Sequence, residues 1–126
     1  SSTFRGSRYL NYNDGTVMTS NNGYIMMRPG SITGISTCFN AVNVSGGGQL
    51  STYAEAKING TTKYTTATVS YSTDGTGKKA SRVQARGIDK FVSGDVLSMY
   101  VTTTEAGMIT GNVDNMNVIV EVTYDS

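Results

Sequence analysis

Residues 116–124 read MNVIVEVTY, and this stretch decides the fold class of the chain. Its alternating positions form two sets, with Val118, Val120 and Val122 on one face and Ile119, Glu121 and Thr123 on the other. Alternation with a period of two, in a stretch rich in β-branched residues, predicts a β-strand whose two faces meet different surroundings. Residues 95–102, DVLSMYVT, predict a second, half-buried strand with Leu97, Met99 and Val101 on one face.

The composition extends this β assignment to the whole chain. The 126 residues include 15 glycines and one proline, and only 15% of them are charged. Such a composition is typical of short strands joined by many turns, and a chain of this length without a compositional break suits one domain. We therefore predict an all-β fold: an antiparallel β-sandwich, jelly-roll-like, of about seven or eight strands with a turn roughly every ten residues.

Three local signals place the strands more closely. Asn59-Gly60 predicts a two-residue hairpin turn, because both residues tolerate positive φ. The apolar pattern of residues 31–43 changes phase near Gly34, which predicts a β-bulge there. Residues 45–48 and 72–79 are predicted to be loops, and residues 61–71 to be one returning strand.

Residues 1–22 show neither a strand period nor a helix period, and we predict an extended arm ahead of a single domain formed by residues 23–126. Aromatic residues and arginines are interleaved in this arm: Phe4, Arg5, Arg8, Tyr9 and Tyr12. The arm is either a terminus that packs loosely or a strap that binds a neighbouring protein through these side chains.

The run Tyr24, Ile25, Met26 and Met27 is a short apolar stretch that Arg28 and Pro29 end. A proline cannot donate a hydrogen bond to a central sheet, so this run predicts a short strand. Two interpretations remain open: burial of the run inside the sandwich, or an interface between subunits.

The chemistry of the chain is restricted. There is no histidine, Cys38 is the single cysteine, and the net charge is +1, so histidine-dependent catalysis, intramolecular disulfides and a basic nucleic-acid surface are all excluded. No apolar run is long enough to span a membrane, and no cofactor motif is present. A glycoside hydrolase would need two carboxylates close together. The candidates are Asp89, Asp95, Asp114 and Glu121, and nothing in the sequence places two of them near each other. Cys38 lies in an apolar strand, where we expect a buried, inert thiol.

Three stretches together carry a resemblance: residues 23–32, the hairpin at 58–60, and residues 91–100, which include Phe91, Gly94 and Asp95. With the valine-rich last strand, they resemble small jelly-roll modules of tailed-bacteriophage virions. The Phe-x-x-Gly-Asp turn is also similar to that of trimeric tumour necrosis factor-like proteins. The resemblance extends over residues 23–124.

This resemblance implies a non-enzymatic protein of the virion surface that forms a homotrimer and acts as a capsid decoration or head-fibre protein. The arm residues Phe4, Arg5, Arg8, Tyr9 and Tyr12 would then contact neighbouring subunits or the major capsid protein. Residues 24–27 would form the threefold interface. No cofactor, metal, nucleic acid or membrane insertion is implied.

Two other functions stay open. The first is the receptor-binding tip of a phage tail fibre, in which residues 45–48, 72–79 and 105–115 would bind a host-surface glycan or receptor. The second is a carbohydrate-binding domain that uses some of the eight tyrosines as a platform.

Overall fold

The structure, a computed structural model, describes residues 5–11 and 17–125. It confirms the predicted fold class: this part of the chain forms no helix, and two antiparallel sheets pack together as a β-sandwich. The ten strands are β1 (Arg8–Tyr9), β2 (Tyr24–Ile25), β3 (Gly30–Gly46), β4 (Gln49–Ile58), β5 (Thr61–Thr65), β6 (Val69–Tyr71), β7 (Gly75–Val83), β8 (Asp89–Phe91), β9 (Val96–Ala106) and β10 (Ile109–Tyr124). Four of them have only two or three residues.

The long strands pair in a nested order along the sequence, β3 with β10 and β4 with β9. In sheet A, β3 lies between β10 and β7, and β8 also pairs with β3. In sheet B, β9 and β4 lie at the centre, β1 and β2 pair with the outer edge of β9, and β5 and β6 pair with β4. The pairs β3–β10 and β4–β9 therefore wrap the first half of the domain around the second, which is the jelly-roll-like feature of this sandwich.

The core fills the space between the sheets in two clusters. One contains Ile32, Ile35, Ala54, Ala56, Ile58, Leu97 and Phe91, and the other contains Phe39, Leu50, Tyr71, Ile109 and Val113. The predicted alternation of residues 116–124 is confirmed, because Val118, Val120 and Val122 pack against the first cluster. These valines are only partly buried, since β10 is an edge strand.

The two sheets meet closely at one end of the sandwich, where β3 crosses to β4 and β9 crosses to β10. A Cβ added to Gly46 would lie 2.2 Å from the carbonyl oxygen of Met108, and one added to Gly48 would lie 2.1 Å from that of Ala106. Only glycine fits so close to another backbone. The predicted flexible loop at residues 45–48 is therefore wrong, because the backbone N–H of Gly47 also donates to Met108 at 2.9 Å.

Two local predictions are confirmed and two are wrong. Asn59 and Gly60 have φ values of 51° and 83° and close the β4–β5 hairpin, and the pairing of β3 with β10 shifts beside Gly34 as a bulge. Residues 75–79, predicted as loop, belong to β7. Residues 61–71 form two strands instead of one, because Thr66 hydrogen-bonds Ala54 through its backbone and its hydroxyl at 2.9 and 3.0 Å and bends the chain between them.

Candidate interaction surfaces

The predicted interface segment, residues 24–27, lies at the edge of sheet B, and its residues 25–27 point outward, inward and outward. Met26 points into the core and is 4% exposed, whereas Ile25 and Met27 are 56% and 71% exposed. Tyr24 is also exposed. One methionine of this run is thus buried in the sandwich and three neighbouring side chains face outward, and an interface between subunits at these residues stays a prediction.

Hydrogen bonds fix this segment to the turn that precedes β9. The backbone N–H of Met26 donates to Asp95, and Gly94 donates back to the Met26 carbonyl, both at 2.8 Å. The Ser93 hydroxyl donates to the Met27 carbonyl at 3.1 Å. Val92, on the same turn, is 59% exposed. Ile25, Met27 and Val92 are therefore exposed apolar side chains at a turn that these hydrogen bonds fix, and we call these three side chains the turn patch.

The Asp95 side chain stabilises the turn that carries the turn patch. One oxygen of its carboxylate accepts from the backbone N–H of Val92 at 2.8 Å, and the other accepts from the Asn59 amide at 3.0 Å. These two hydrogen bonds, that from Val92 first, hold the pKa of Asp95 below its ordinary value of 3.8. The Asn59 side chain also accepts from the N–H of Val96 at 2.9 Å, so it joins the β4–β5 hairpin to the start of β9. The Asp95 carboxylate therefore has a structural role in this turn.

The described part of the arm packs on the same chain. β1 pairs with β9, with Arg8 opposite Val101 and Tyr9 opposite Tyr100. The rings of Tyr9 and Tyr100 meet edge to face with centroids 4.8 Å apart, and the Lys57 ammonium lies 4.1 Å from the Tyr100 centroid. The outer face of sheet B therefore holds the arm through an aromatic pair and a cation–π contact.

The other arm residues have polar partners or lie outside the described residues. Arg8 donates to Asn11 at 2.9 Å, and exposed Arg5 forms an ion pair with exposed Glu105 at 3.3 Å. Phe4 and Tyr12 belong to the residues that the structure does not describe. The division into an arm of residues 1–22 and a domain of residues 23–126 stays a prediction.

The return of the arm covers part of sheet B. Met18 is buried, and a Cβ on Gly60 would lie 2.7 Å from the Cβ of Ser20, so this segment crosses sheet B from its β9 edge to the β4–β5 hairpin. Ser98, which the strand pattern places on the solvent face, is fully buried, and its hydroxyl has no partner within the described residues.

Glu55 is a buried carboxylate that the sequence analysis missed. Its two oxygens accept from the hydroxyls of Thr62, at 2.7 Å, and of Thr102. It lies opposite Tyr100 in the β4–β9 pairing, so it is adjacent to the side chains that hold the arm. The alternation of residues 49–58 places Glu55 on the outer face of sheet B, and no local pattern signals its burial there.

The other polar candidates have structural partners. The Asp89 carboxylate accepts from the Gln84 amide at 2.7 Å, and Glu121 accepts from the Thr33 hydroxyl at 2.6 Å. Burial raises the pKa of Tyr71, whose hydroxyl is hydrogen-bonded to Thr52 at 2.8 Å. Cys38 is half-buried on the outer face of sheet A, so the expectation of a buried thiol is wrong.

The predicted receptor loops are mostly strand. Residues 75–79 belong to β7, and residues 109–115 belong to β10. Of these three ranges, residues 47–48, 72–74 and 107–108 lie outside the strands, and in the last of them Met108 is 88% exposed.

Residues 5–11 and 17–125 contain no cluster of three or more His, Cys, Asp or Glu side chains that could hold a metal ion. Within the same ranges, no helix has the length and apolar character needed to cross a membrane. Comparisons with protein families, with curated proteins and with solved structures find no match for this chain.

Proposed function

We propose that this chain is a non-enzymatic structural protein of a bacteriophage virion surface, where it forms homotrimers as a capsid decoration or head-fibre protein. The observation that carries the proposal is the turn patch. Ile25, Met27 and Val92 remain exposed although the surrounding turn is fixed by hydrogen bonds. The turn patch lies in two of the three stretches that carry the resemblance to phage jelly-roll modules, residues 23–32 and 91–100.

The rigidity of the turn patch supports a role in assembly. A flexible apolar segment can fold back and cover itself, but this one is held by Asp95, Gly94 and Ser93. Apolar side chains presented on an ordered backbone bind a partner with little loss of conformational entropy. Exposed apolar groups of this kind mark protein–protein contacts, and a second copy of the chain is the partner that the resemblance implies.

The arm supplies the proposed contact with the capsid. Its strand β1 forms the outer edge of sheet B, and Arg5 is exposed. Under the proposal, Phe4, Arg5, Arg8, Tyr9 and Tyr12 lie at the boundary between this subunit and the major capsid protein or a neighbouring subunit. Tyr9 serves there by fixing β1 to its own sheet.

Exposed Met108 favours a second function, the receptor-binding tip of a tail fibre. Met108 lies at the far end of β9 from the turn patch, about 35 Å away for a strand of 11 residues. A trimer that uses the turn patch would present three such tips to a host-surface glycan or receptor.

One set of measurements tests both functions. We expect wild-type protein to have the mass of a trimer by light scattering and to attach to undecorated phage shells. Met27→Lys removes an apolar contact at the turn patch, so it should give a monomer with an unchanged melting temperature. Met108→Lys is the matched control, because it makes the same change at another exposed methionine, and it should remain a trimer.

The binding step separates the two functions. Attachment to shells by both the wild type and Met108→Lys supports the capsid role. Binding to host cells that Met108→Lys abolishes supports the tail-fibre role. A wild-type monomer at micromolar concentration, or a trimer that binds neither shells nor cells, would overturn the proposed function.

A further inference from the structure

Sheet A has two edge strands that differ in their protection against pairing with another chain. Within the described residues, β10 and β7 each pair with β3 alone. β7 carries Lys78 and Lys79, and lysine on an edge strand discourages such pairing. β10 is 16 residues long and contains no lysine, arginine or proline. The β10 edge therefore lacks the residue types that usually protect an exposed strand.

The regular part of this edge is residues 117–121. Pairing with β3 runs without a break from Asn117 opposite Cys38 to Glu121 opposite Gly34, and the register shifts on either side. Bulges twist an edge away from a partner, so a further strand would pair with the regular part. Half of the main-chain N–H and C=O groups of this part point away from β3, over a length of about 17 Å.

Apolar side chains on both faces of this edge are incompletely covered. Val118 and Val120 face the core but are only partly buried, and so is Met99 of β9 in the same cluster. Ile119, on the outer face, is 65% exposed. A strand added beside β10 would therefore remove apolar surface from water in addition to pairing with the main chain.

Sheet B extends one strand beyond the β10 edge. β10 packs over β9 and β4, whereas β1 and β2 pair with the far side of β9. Tyr24 of β2 lies opposite the core residue Leu97, so it is on the face that sheet B turns toward sheet A, and it is 44% exposed. Neighbouring strands are about 4.8 Å apart. β1 and β2 therefore form a shelf beside the β10 edge that is one strand wide.

The shelf restricts what can bind at this edge. A second copy that paired its own β10 here about a twofold axis would bring its shelf into the same layer, and the two shelves would overlap. A single extended chain avoids this overlap. Its main chain would pair with β10, and its alternate side chains would cover Val118 and Val120.

The charge of the edge specifies the other face of such a segment. Glu121 accepts a hydrogen bond from the Thr33 hydroxyl at 2.6 Å and forms no ion pair within the described residues. Residues that lie opposite each other in an antiparallel pair are close enough for opposite charges to attract. A lysine or arginine opposite Glu121 would therefore complement the edge.

We propose that the β10 edge binds an extended segment of a partner protein as an additional strand of sheet A. The segment has apolar residues at the alternate positions that face Val118 and Val120, and a lysine or arginine opposite Glu121. This surface is separate from the turn patch, so the inference goes beyond the proposed trimer.

A peptide copied from β10 tests this binding. The basic probe is residues 116–122 with Asn117→Arg and Glu121→Arg and an amino-terminal fluorophore, and its affinity is measured by fluorescence anisotropy. Antiparallel pairing with Ile119 opposite Ile119 places its first arginine opposite Glu121 and its valines opposite Val118 and Val120. Its two like charges oppose pairing of the probe with itself. We expect one peptide to bind per chain.

Charge reversal tests the register. Glu121→Arg in the protein should weaken binding of the basic probe by at least about tenfold. An acidic probe, residues 116–122 with Asn117→Glu, should bind the Glu121→Arg protein and not the wild type, which also demonstrates that the variant keeps its edge intact. Glu105→Arg makes the same charge change on sheet B and should leave the affinity of both probes unchanged.

Methylation of the probe's backbone nitrogens tests strand pairing itself. A strand pairs with one neighbour through the N–H groups of alternate residues only. Methylating the nitrogens of residues 118 and 120, or instead those of residues 119 and 121, should abolish binding in one case and preserve it in the other. An equal loss of affinity in both cases would overturn the pairing.

The remaining outcomes separate this inference from the proposed function. No binding of the basic probe at about 1 mM overturns the edge site. A probe that lowers the mass of the wild-type protein also overturns it, because a second copy would then occupy the edge. Met27→Lys should abolish the trimer and leave the affinity of the probe unchanged. A wild-type monomer that binds the probe overturns the trimer and supports the edge site.

Discussion

The arm and the turn patch make main-chain hydrogen bonds to the same strand, β9, yet they use their side chains in opposite ways. β1 pairs with β9 at Tyr100 and Val101, and β2 pairs with it at Val96 and Leu97. The Tyr9 ring packs on the sheet of its own chain. Ile25, which pairs with Val96 further along β9, stays exposed. Similar backbone pairing therefore leads to intramolecular packing in one segment and to an available surface in the other.

The difference originates in what each segment meets beyond the edge of sheet B. Tyr9 finds Tyr100 and Lys57 on the outer face, a site that combines an aromatic edge with a cation. Residues 24–27 lie where the chain passes from sheet B toward sheet A, and of their side chains only that of Met26 packs in the core. An edge position fixes the backbone, but the neighbouring side chains decide whether a surface remains.

The largest expected effect should distinguish the two methionines of residues 24–27. Met26→Ala removes a buried side chain from the core and should lower the free energy of unfolding by about 2–5 kcal/mol. Met27→Ala removes an exposed side chain and should change it by less than about 0.5 kcal/mol. Urea unfolding of the two variants measures both values. Equal effects at the two positions would contradict the alternation of this segment.

A smaller effect should separate the arm from the turn patch. Tyr9→Ala removes the contacts with Tyr100 and Lys57, so it should lower the free energy of unfolding by about 1–2 kcal/mol while leaving the mass in solution unchanged. Ile25→Ala is the matched variant on the neighbouring strand, and it should weaken association without that loss of stability. Urea unfolding and light scattering are measured on both. If Tyr9→Ala dissociates the protein and keeps its stability, the arm is a strap between subunits after all.

Sequence reasoning succeeded where one local pattern has one structural solution. The alternation at Val118, Val120 and Val122 faces the core as predicted, because a strand has only two faces. Asn59-Gly60 forms the expected turn because few other residue pairs adopt two successive positive φ values.

It failed where long-range packing decides the outcome. Gly75, Gly77 and two lysines favoured a loop, but β3 is long enough to pair with this segment, and its lysines are accommodated on an edge. The run Tyr24 to Met27 does not itself reveal which methionine is buried, because the choice depends on hydrogen bonds to residues 94 and 95. The Glu55 carboxylate accepts from Thr62, across the adjacent hairpin, and from Thr102, which is distant in sequence.

The smallest expected effect concerns the turn that holds the patch in place. The pKa of Asp95 lies below 3.8 because the ionised carboxylate accepts hydrogen bonds from Val92 and Asn59. A carboxyl group with a lowered pKa in the folded state stabilises the protein above its unfolded-state pKa, and this contribution disappears as the pH falls through the folded-state value. The melting temperature of the wild type should therefore exceed that of Asp95→Asn at neutral pH, and the gap should shrink as the pH falls through the folded-state pKa, which lies below 3.8.

The comparison between the two proteins removes the effect of the other carboxylates, since these titrate in both. Lys57→Ala, which alters the arm contact instead, should lower the melting temperature through the loss of its cation–π contact with Tyr100. A gap of equal size at neutral pH and below the folded-state pKa would mean that the ionised carboxylate is not its cause. The absence of any gap at neutral pH would mean that the backbone hydrogen bonds alone hold the turn.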